Sequence, residues 1–276
     1  MQLFVTGGTG FIGSHFLNAA HAAGHEIIAL RRPGSSPRIP LDKQPSWVEG
    51  SLDGDHRSAM NGCEFVVHLA AHSANPPYDN LDACLYWNLI ASLKLCQQAE
   101  GVGIRRFLIA GSCFEYGRAG ERYAFIPPDA PLEPTASYPT SKAAAAAAFR
   151  GWASERNLQL QILRIFQVYG DGEPETRLWP SIRRAALAGE DFPMTKGEQV
   201  RDFTPVELAA QIFVSALNFE GVAPGHTRIR HVGTGNPQTV KEFCEDCWRC
   251  WGASGKLIFG RLPYRKGEVM RYVPEI

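Results

Sequence analysis

The sequence carries no net charge, because 28 lysine and arginine residues balance 28 aspartate and glutamate residues. Proteins that bind nucleic acid or an anionic membrane surface usually have an excess of basic residues. No apolar run reaches the roughly 20 residues that a membrane-spanning helix needs. These two absences argue against a nucleic-acid partner and against a membrane span.

The N-terminus also lacks the features of a secretion signal. Leu3–Val5 runs directly into a glycine-rich turn, with no basic start and no cleavage-like segment. We therefore expect a cytoplasmic protein whose seven cysteines are reduced thiols. Cys244, Cys247 and Cys250 have a spacing that suggests zinc. Because they lie in a predicted helix with no fourth ligand nearby, we expect small apolar thiols there and no metal.

Short apolar runs alternate with helical patterns in the first half of the chain. Continuous apolar strands that alternate with helices predict a parallel sheet covered on both faces. The sequence therefore predicts an α/β fold, a doubly wound parallel sheet of the Rossmann type. The predicted strands are Leu3–Val5, Glu26–Leu30, Phe65–Leu69, Phe107–Ala110 and Leu160–Ile165, and the predicted helices are Ser14–Ala23, Leu81–Glu100 and Ser137–Glu155.

The pattern changes after Tyr169. We predict a dinucleotide-binding domain over residues 1–168 and a smaller substrate-binding lobe over residues 169–276. Residues 227–233 are expected to return one strand to the main sheet, and Arg201 is expected in a loop. The predicted helices of this part are Pro180–Ala188, Pro205–Leu217 and Thr239–Trp251.

A glycine-rich turn, Thr6–Gly13, joins the first predicted strand to the first predicted helix. Its spacing, Gly-x-x-Gly-x-x-Gly, is one residue longer than the Gly-x-Gly-x-x-Gly of many dinucleotide sites. In such a turn one glycine makes the tight turn, another lets the pyrophosphate approach the backbone, and the last lets the helix pack closely on the strand. We predict that the turn binds a dinucleotide through Gly7, Thr9, Gly10, Phe11, Ile12 and Gly13.

The end of the second predicted strand indicates which dinucleotide is bound. NAD sites usually place an acidic residue there to hold the ribose 2′-hydroxyl. This sequence has Arg31 and Arg32 instead. Because two guanidinium groups suit a 2′-phosphate, we expect NADP in preference to NAD, with NAD as the alternative.

A tyrosine and a lysine four residues apart, Tyr138 and Lys142, open a predicted helix. This spacing places both side chains on one helical face. A nearby ammonium group favours the phenolate, which brings a tyrosine closer to a useful acid–base range. We predict that Tyr138 donates a proton to a substrate oxygen and that Lys142 also contacts the nicotinamide ribose.

With these motifs the chain resembles the extended short-chain dehydrogenases/reductases of the NAD-dependent epimerase/dehydratase group. The resemblance spans nearly the whole chain, over Thr6–Gly13, His68–Ala71, Gly111–Gly117, Tyr138–Lys142, Leu163–Gly170 and Arg201–Phe203. It implies a third catalytic residue, Ser112, whose hydroxyl binds the substrate carbonyl beside Tyr138. It also implies a homodimer formed through the helices near Leu81–Glu100 and Ser137–Glu155. The further cofactor contacts that it implies are Leu52, Leu69, Ala70 and Ala71.

The resemblance also implies a nucleotide-sugar substrate. Arg201 and Arg265 match the arginines that hold the substrate diphosphate in this group. Gln167 occupies the position of a common substrate-contacting asparagine, and its longer side chain implies a different contact. Cys113, beside Ser112, is expected to shape the sugar site together with Glu115.

The reaction type stays open at this point. Sugar dehydratases of the group carry two acidic residues directly after the catalytic serine or threonine, and these positions are Cys113 and Phe114 here. Without an acid and a base, elimination of water lacks its proton carriers. We expect NADPH-dependent reduction of a 4-keto-6-deoxy sugar nucleotide. NAD-dependent 4-epimerisation of a sugar nucleotide is the close alternative, and a non-catalytic NADP-binding sensor is a remote one.

Overall fold

A computed structural model of the chain describes residues 1–265 and 267–276. In chain order the strands are β1 (Gln2–Thr6), β2 (Glu26–Arg31), β3 (Ser46–Glu49), β4 (Phe65–His68), β5 (Arg106–Ser112), β6 (Gln159–Ile165), β7 (Gln167–Tyr169), β8 (Phe192–Pro193), β9 (Val200–Pro205), β10 (Thr227–Val232), β11 (Pro237–Thr239), β12 (Leu257–Ile258) and β13 (Arg271–Tyr272). The α-helices are α1 (Phe11–Ala22), α2 (Arg57–Met60), α3 (Leu81–Leu85), α4 (Ser92–Gly101), α5 (Ser137–Glu155), α6 (Leu178–Ala188), α7 (Val206–Ser215) and α8 (Val240–Cys250).

Seven strands form the main sheet, in the order β10-β6-β5-β4-β1-β2-β3. Every neighbouring pair in this sheet is parallel. The central strands are rich in Val, Ile, Leu and Phe and almost fully buried, as expected for strands covered on both faces. The predicted doubly wound parallel sheet is confirmed.

Two layers of helices cover the sheet. On one face α1 and α7 pack together, with the rings of Phe16 and Phe213 edge to face at 6.4 Å. On the other face α4 and α5 pack on the sheet, and Trp152 lies edge to face on Phe107 at 4.8 Å. The buried apolar side chains of both faces supply the main stabilisation of the fold.

Two parts of the predicted pattern differ from the structure. The predicted helix Leu81–Glu100 is interrupted by a π-helical turn, Tyr86–Ala91, which separates α3 from α4. Strand β3 was not predicted, because it is a four-residue strand at the edge of the sheet whose residues are only half-buried or exposed.

The predicted loop around Arg201 was wrong. Arg201 lies in β9, which pairs with β7, β11 and β13 in a second, small sheet. The strand β10 pairs with β6 at the edge of the main sheet. Where the chain divides into a dinucleotide domain and a substrate lobe stays a prediction.

The strand order reverses between β1 and β4, because the chain continues from β1 towards one edge of the sheet and from β4 towards the other. In open α/β sheets, ligands bind in the crevice at the carboxyl ends of the strands beside such a switch point. Four of the predicted functional motifs follow the strands that end at this edge. Within residues 1–265 and 267–276, no helix is both long and apolar enough to cross a membrane.

Candidate active site

A cleft of about 540 Å³ opens at the carboxyl ends of β1, β2, β4 and β5. Every residue predicted to bind the cofactor or to take part in catalysis lines this one cleft. They are Gly7, Thr9, Gly10, Phe11, Ile12, Gly13, Arg31, Arg32, Leu52, Leu69, Ala70, Ala71, Ser112, Tyr138 and Lys142. The structure thus brings together residues that lie up to 135 positions apart, while their roles stay predictions.

The glycine turn is shaped for a close approach. Gly7 has a φ of +77°, and a Cβ atom there would lie 2.4 Å from the backbone nitrogen of Ala70. A Cβ atom on Gly13 would lie 2.0 Å from the carbonyl oxygen of Gly7, so only glycine lets α1 pack this closely on the turn. Gly10 caps α1 without a side-chain hydrogen bond, which leaves the first N–H groups of the helix free for an anion. These features fit a dinucleotide pyrophosphate.

At the other end of the cofactor region, Arg31 is the last residue of β2. Its Nη2 atom donates to Glu49 Oε1 over 2.9 Å, and its guanidinium carbon lies 5.0 Å from the centre of the Trp47 ring. The Nε atom of Arg31 is buried and has no hydrogen-bond partner among the described residues. A buried donor without a partner is costly unless a ligand satisfies it.

Arg32, beside Arg31, is exposed at the rim of the cleft. It forms no ion pair within the part of the chain that the structure describes. This end of the cleft, where we predicted the adenosine of the cofactor, therefore presents two guanidinium groups. A phosphate group could bind both, by charge and by geometry.

Tyr138 and Lys142 face the cleft from the first turns of α5, and both side chains are buried. Burial raises the pKa of the Tyr138 phenol above its ordinary value, and the neighbouring Ser112 hydroxyl offsets part of this rise. The sequence led us to expect that Lys142 would lower this pKa. In the structure the pKa is raised instead, because burial of the phenol is the largest effect on it.

The Lys142 ammonium group donates a hydrogen bond to the carbonyl oxygen of Ala110 over 2.7 Å. Burial lowers the pKa of Lys142, and the charge of Glu115 partly opposes this. The carbonyl at the end of β5 thus fixes the lysine in a position from which it faces the cleft. From there it can reach a ribose hydroxyl or support the charge on Tyr138.

Ser112 ends β5, and a 3₁₀ turn, Cys113–Tyr116, begins directly after it. The Ser112 side chain accepts a hydrogen bond from the backbone N–H of Phe114 over 3.3 Å. Glu115 accepts from the backbone N–H of Ser112 over 2.8 Å and from Arg164 Nε over 2.7 Å. Glu115 and Arg164 form a buried ion pair, and Glu115 holds the turn in place. Glu115 does not line the cleft, contrary to its expected role in the sugar site.

His68 ends β4 next to the turn. Its Nδ1 atom lies 2.7 Å from the Thr6 hydroxyl, and burial, together with the positive charge of Lys142, lowers its pKa to about 3. A histidine that stays neutral at physiological pH and is hydrogen-bonded to the adjacent strand joins β4 to β1. Its side chain does not line the cleft.

The predicted substrate residues occupy different places. Cys113 and Gln167 line the cleft. Arg201 and Arg265 do not line it. Arg201 donates to the carbonyl oxygen of Val269 over 2.6 Å and to Glu268 over 3.2 Å. Arg265 is exposed. Burial raises the pKa of Tyr78, and the positive charge of Arg265 opposes part of this rise. Substrate binding by these two arginines stays a prediction.

Sequence reasoning missed Arg177, which lines the substrate side of the cleft. Arg177 is the N-cap residue of α6, and its guanidinium group binds Glu173 Oε1 over 2.7 Å and Asn75 Oδ1 over 2.9 Å. Its position three residues before a predicted helix, Pro180–Ala188, was the only available signal. Tyr78, whose ring stacks on Tyr138, was also missed, because no pattern connects a loop residue to a helix 60 positions later.

The charges of the cleft are all of one sign. The described residues that line it include three arginines and one lysine, which are Arg31, Arg32, Arg177 and Lys142. No described lining residue is an aspartate or a glutamate. Within the same residues, no group of three or more His, Cys, Asp or Glu side chains is placed to hold a metal ion. The site thus suits an anionic ligand and offers no carboxylate for acid–base chemistry.

Comparison with known proteins agrees with this geometry. The sequence profile of the NAD dependent epimerase/dehydratase family matches residues 3–229. The chain is 27% identical over 271 residues to the UDP-glucose 4-epimerase of Corynebacterium glutamicum, covering 90% of this chain and 79% of that protein. It is 25% identical over 273 residues to the CDP-abequose synthase of Salmonella muenchen, covering 98% of this chain and 87% of that protein.

Solved structures show the same likeness. The UDP-glucose 4-epimerase of Thermotoga maritima, in complex with UDP-glucose, superimposes with a TM-score of 0.85 at 25% identity, covering 100% of this chain and 90% of that chain. The chain therefore belongs to the NAD dependent epimerase/dehydratase family. Like the other members of this NAD-dependent family, it is an oxidoreductase-type enzyme.

Proposed function

We propose that this enzyme reduces the 4-keto group of a nucleotide-linked 4-keto-6-deoxy sugar with NADPH. The observation that carries the proposal is the composition of the cleft. It combines Ser112, Tyr138 and Lys142 with three arginine side chains, and no described carboxylate lines it. Hydride transfer to a ketone needs one proton donor, which Tyr138 supplies, and it needs no acid–base pair.

When bound in the cleft, NADPH would supply a hydride for C4 of the sugar. Tyr138 gives its phenolic proton to the developing alkoxide, and the Ser112 hydroxyl donates a second hydrogen bond to the same oxygen. Lys142, held by the Ala110 carbonyl, supports the negative charge that Tyr138 acquires. The phenol takes up a proton from water before the next turnover.

The choice of NADPH rests on Arg31 and Arg32. Both guanidinium groups lie at the adenosine end of the cleft, Arg31 has an unpartnered Nε, and no described acidic residue lines this end. An acidic residue would repel a 2′-phosphate, whereas two arginines bind it.

The choice of a 6-deoxy sugar rests on the wall beside Ser112. Cys113, Phe114 and Phe166 line the cleft there and present apolar surface. A methyl group at C6 packs favourably against such a wall, whereas a hydroxymethyl group would bury a hydroxyl without a partner. The likeness to CDP-abequose synthase over 98% of this chain supports the same choice.

A turnover assay tests the proposal. The purified enzyme is incubated with NADPH or NADH and with CDP- or dTDP-4-keto-6-deoxyglucose, and the loss of absorbance at the nicotinamide band is followed. We expect NADPH consumption matched one to one by the reduced sugar nucleotide. The proposal is wrong if no 4-keto sugar nucleotide is reduced while a cofactor is bound.

Epimerisation at C4 is the second candidate, because the chain is similar to UDP-glucose 4-epimerases in sequence and in structure. An epimerase returns the hydride to the sugar and so consumes no external cofactor. Interconversion of UDP-glucose and UDP-galactose by the purified enzyme, without added nucleotide, would establish this second function.

A further inference from the structure

One aromatic side chain outside the catalytic motifs lies directly against the catalytic tyrosine. The ring of Tyr78 stacks on the ring of Tyr138, with the ring centres 5.5 Å apart and the planes inclined by 28°. Tyr78 belongs to the loop between β4 and α3, far from α5 in the sequence. Aromatic pairs in this offset geometry are favoured, and they restrict how each ring can rotate.

The loop that carries Tyr78 is fixed on both sides of the cleft. On the side of the catalytic helix, the Ser137 hydroxyl donates to the Asp79 carbonyl oxygen over 2.6 Å. On the opposite side, Arg177 donates to Asn75 Oδ1 over 2.9 Å. Asp79 also binds His72 Nε2 through its carboxylate over 2.9 Å. The Ser137–Asp79 bond holds the loop next to Tyr78, whereas the Arg177–Asn75 bond anchors the earlier part of the loop.

The Tyr78 ring that covers Tyr138 affects the chemistry of the Tyr138 phenol. Only 6% of Tyr138 is exposed, although its side chain lines an open cleft. Burial raises the pKa of Tyr138, so the phenol keeps its proton to a higher pH than an exposed tyrosine does. The Tyr78 hydroxyl makes no hydrogen bond to any residue that the structure describes, so the ring is the part of Tyr78 that acts on Tyr138.

We propose that Tyr78 is a positioning residue, whose ring fixes the plane of the Tyr138 ring and shields one side of it from water. This inference rests on the proposed role of Tyr138 as the proton donor. It adds a loop residue to the three proposed catalytic residues, which all lie on β5 and α5.

The experiment compares Tyr78→Ala, Tyr78→Phe and Asn75→Ala with the wild type, using NADPH and the 4-keto sugar nucleotide that the wild type reduces. Asn75→Ala is the matched control, because it loosens the same loop from Arg177 but keeps the ring. For each variant, kcat and KM are measured from pH 7 to pH 11. The melting temperature is measured as well.

We expect Tyr78→Ala to lower kcat by about 10- to 100-fold, because the proton donor is less well oriented. From pH 7 to pH 11 the wild-type rate should stay level, because burial keeps the Tyr138 phenol protonated, whereas the Tyr78→Ala rate should fall towards the upper end of this range, because water reaches the phenol. Tyr78→Phe should keep both values close to those of the wild type. Asn75→Ala should change KM for the sugar nucleotide more than it changes the pH profile.

Two results would overturn the inference. One is a Tyr78→Ala enzyme whose kcat, and whose dependence of kcat on pH at alkaline pH, equal those of the wild type. The other is an Asn75→Ala enzyme that reproduces the Tyr78→Ala profile, which would assign the effect to the loop and not to the ring. If Tyr78→Ala does not fold, Tyr78→Gln replaces it, because glutamine keeps much of the volume but admits water. Full activity of Tyr138→Phe would instead contradict the proposed function itself.

Discussion

The Oε1 atom of Glu115 accepts a hydrogen bond from the backbone N–H of Ser112 over 2.8 Å. The same carboxylate is paired through its other oxygen with Arg164, and both side chains are almost completely buried. The residue thus satisfies a backbone donor at the end of β5 and sets the direction of the turn that follows. The position of the Ser112 hydroxyl depends on this buried carboxylate, which itself never reaches the cleft.

Loss of the Glu115 carboxylate should destabilise the protein strongly. We expect Glu115→Ala to lower the free energy of unfolding by about 3–5 kcal/mol, because it leaves the Arg164 charge buried without a partner. The double variant Glu115→Ala/Arg164→Met should recover part of this loss, since it removes the stranded charge. Unfolding in urea measures both values.

The matched control for this prediction is an exposed pair, Arg249 and Asp246 on α8, whose atoms lie 3.3 Å apart. Because solvent screens this pair, Asp246→Ala should cost less than about 1 kcal/mol. If Glu115→Ala and Asp246→Ala lowered the free energy of unfolding equally, the buried pair would stabilise the protein no more than an exposed pair does.

Removal of one hydroxyl should abolish most of the turnover. We expect Tyr138→Phe to lower kcat by about 10²- to 10⁴-fold, because the ketone oxygen loses its proton donor. The affinity for NADPH, measured by fluorescence titration, should change little. Tyr86→Phe is the control, since it removes an exposed tyrosine hydroxyl that binds Asp53 over 2.8 Å, and it should keep wild-type turnover.

Substitution of Arg32 should separate the two nicotinamide cofactors. We expect Arg32→Ala to raise KM for NADPH by about 10-fold or more, because a charge-assisted hydrogen bond to the 2′-phosphate is lost. KM for NADH should stay unchanged, since NADH has no phosphate at that position. Arg249→Ala removes an exposed arginine elsewhere and should alter neither value. Equal changes for NADPH and NADH would contradict a phosphate-binding role.

The stability of the protein should depend on the protonation of Glu173. Burial raises the pKa of this carboxyl from 4.5 to about 7, and contact with Arg177 offsets only part of the rise. The folded protein therefore binds this proton more tightly than the unfolded chain does. The stabilisation that results is complete below about pH 4.5 and is lost as the pH rises through about 7.

Glu173→Gln removes this titration. We expect the stability of the variant, relative to the wild type, to increase between pH 4.5 and pH 7, as urea unfolding at several pH values would show. Parallel stability curves for the two proteins over this range would mean that Glu173 does not titrate there.

The fold could be predicted from the sequence because its signals are local. Continuous apolar strands, the glycine turn and the alanine-rich helix each act within a few residues, and together they fix a doubly wound sheet. Strand β3 and the π-helical turn Tyr86–Ala91 could not be predicted in this way. Packing of neighbouring elements stabilises both, and the chain itself has no periodic pattern there.

The sequence by itself determined which motifs are present, since the spacing of Gly7, Gly13, Tyr138 and Lys142 is what predicts their roles. Only the tertiary structure decided what surrounds them. It turns Glu115 towards Arg164, places Arg177 in the cleft and stacks Tyr78 on Tyr138. The physical reason is that these relationships join residues from different strands, loops and helices, whose distances depend on how the layers pack. Burial, which sets the pKa of Tyr138, likewise exists only once the whole chain has folded.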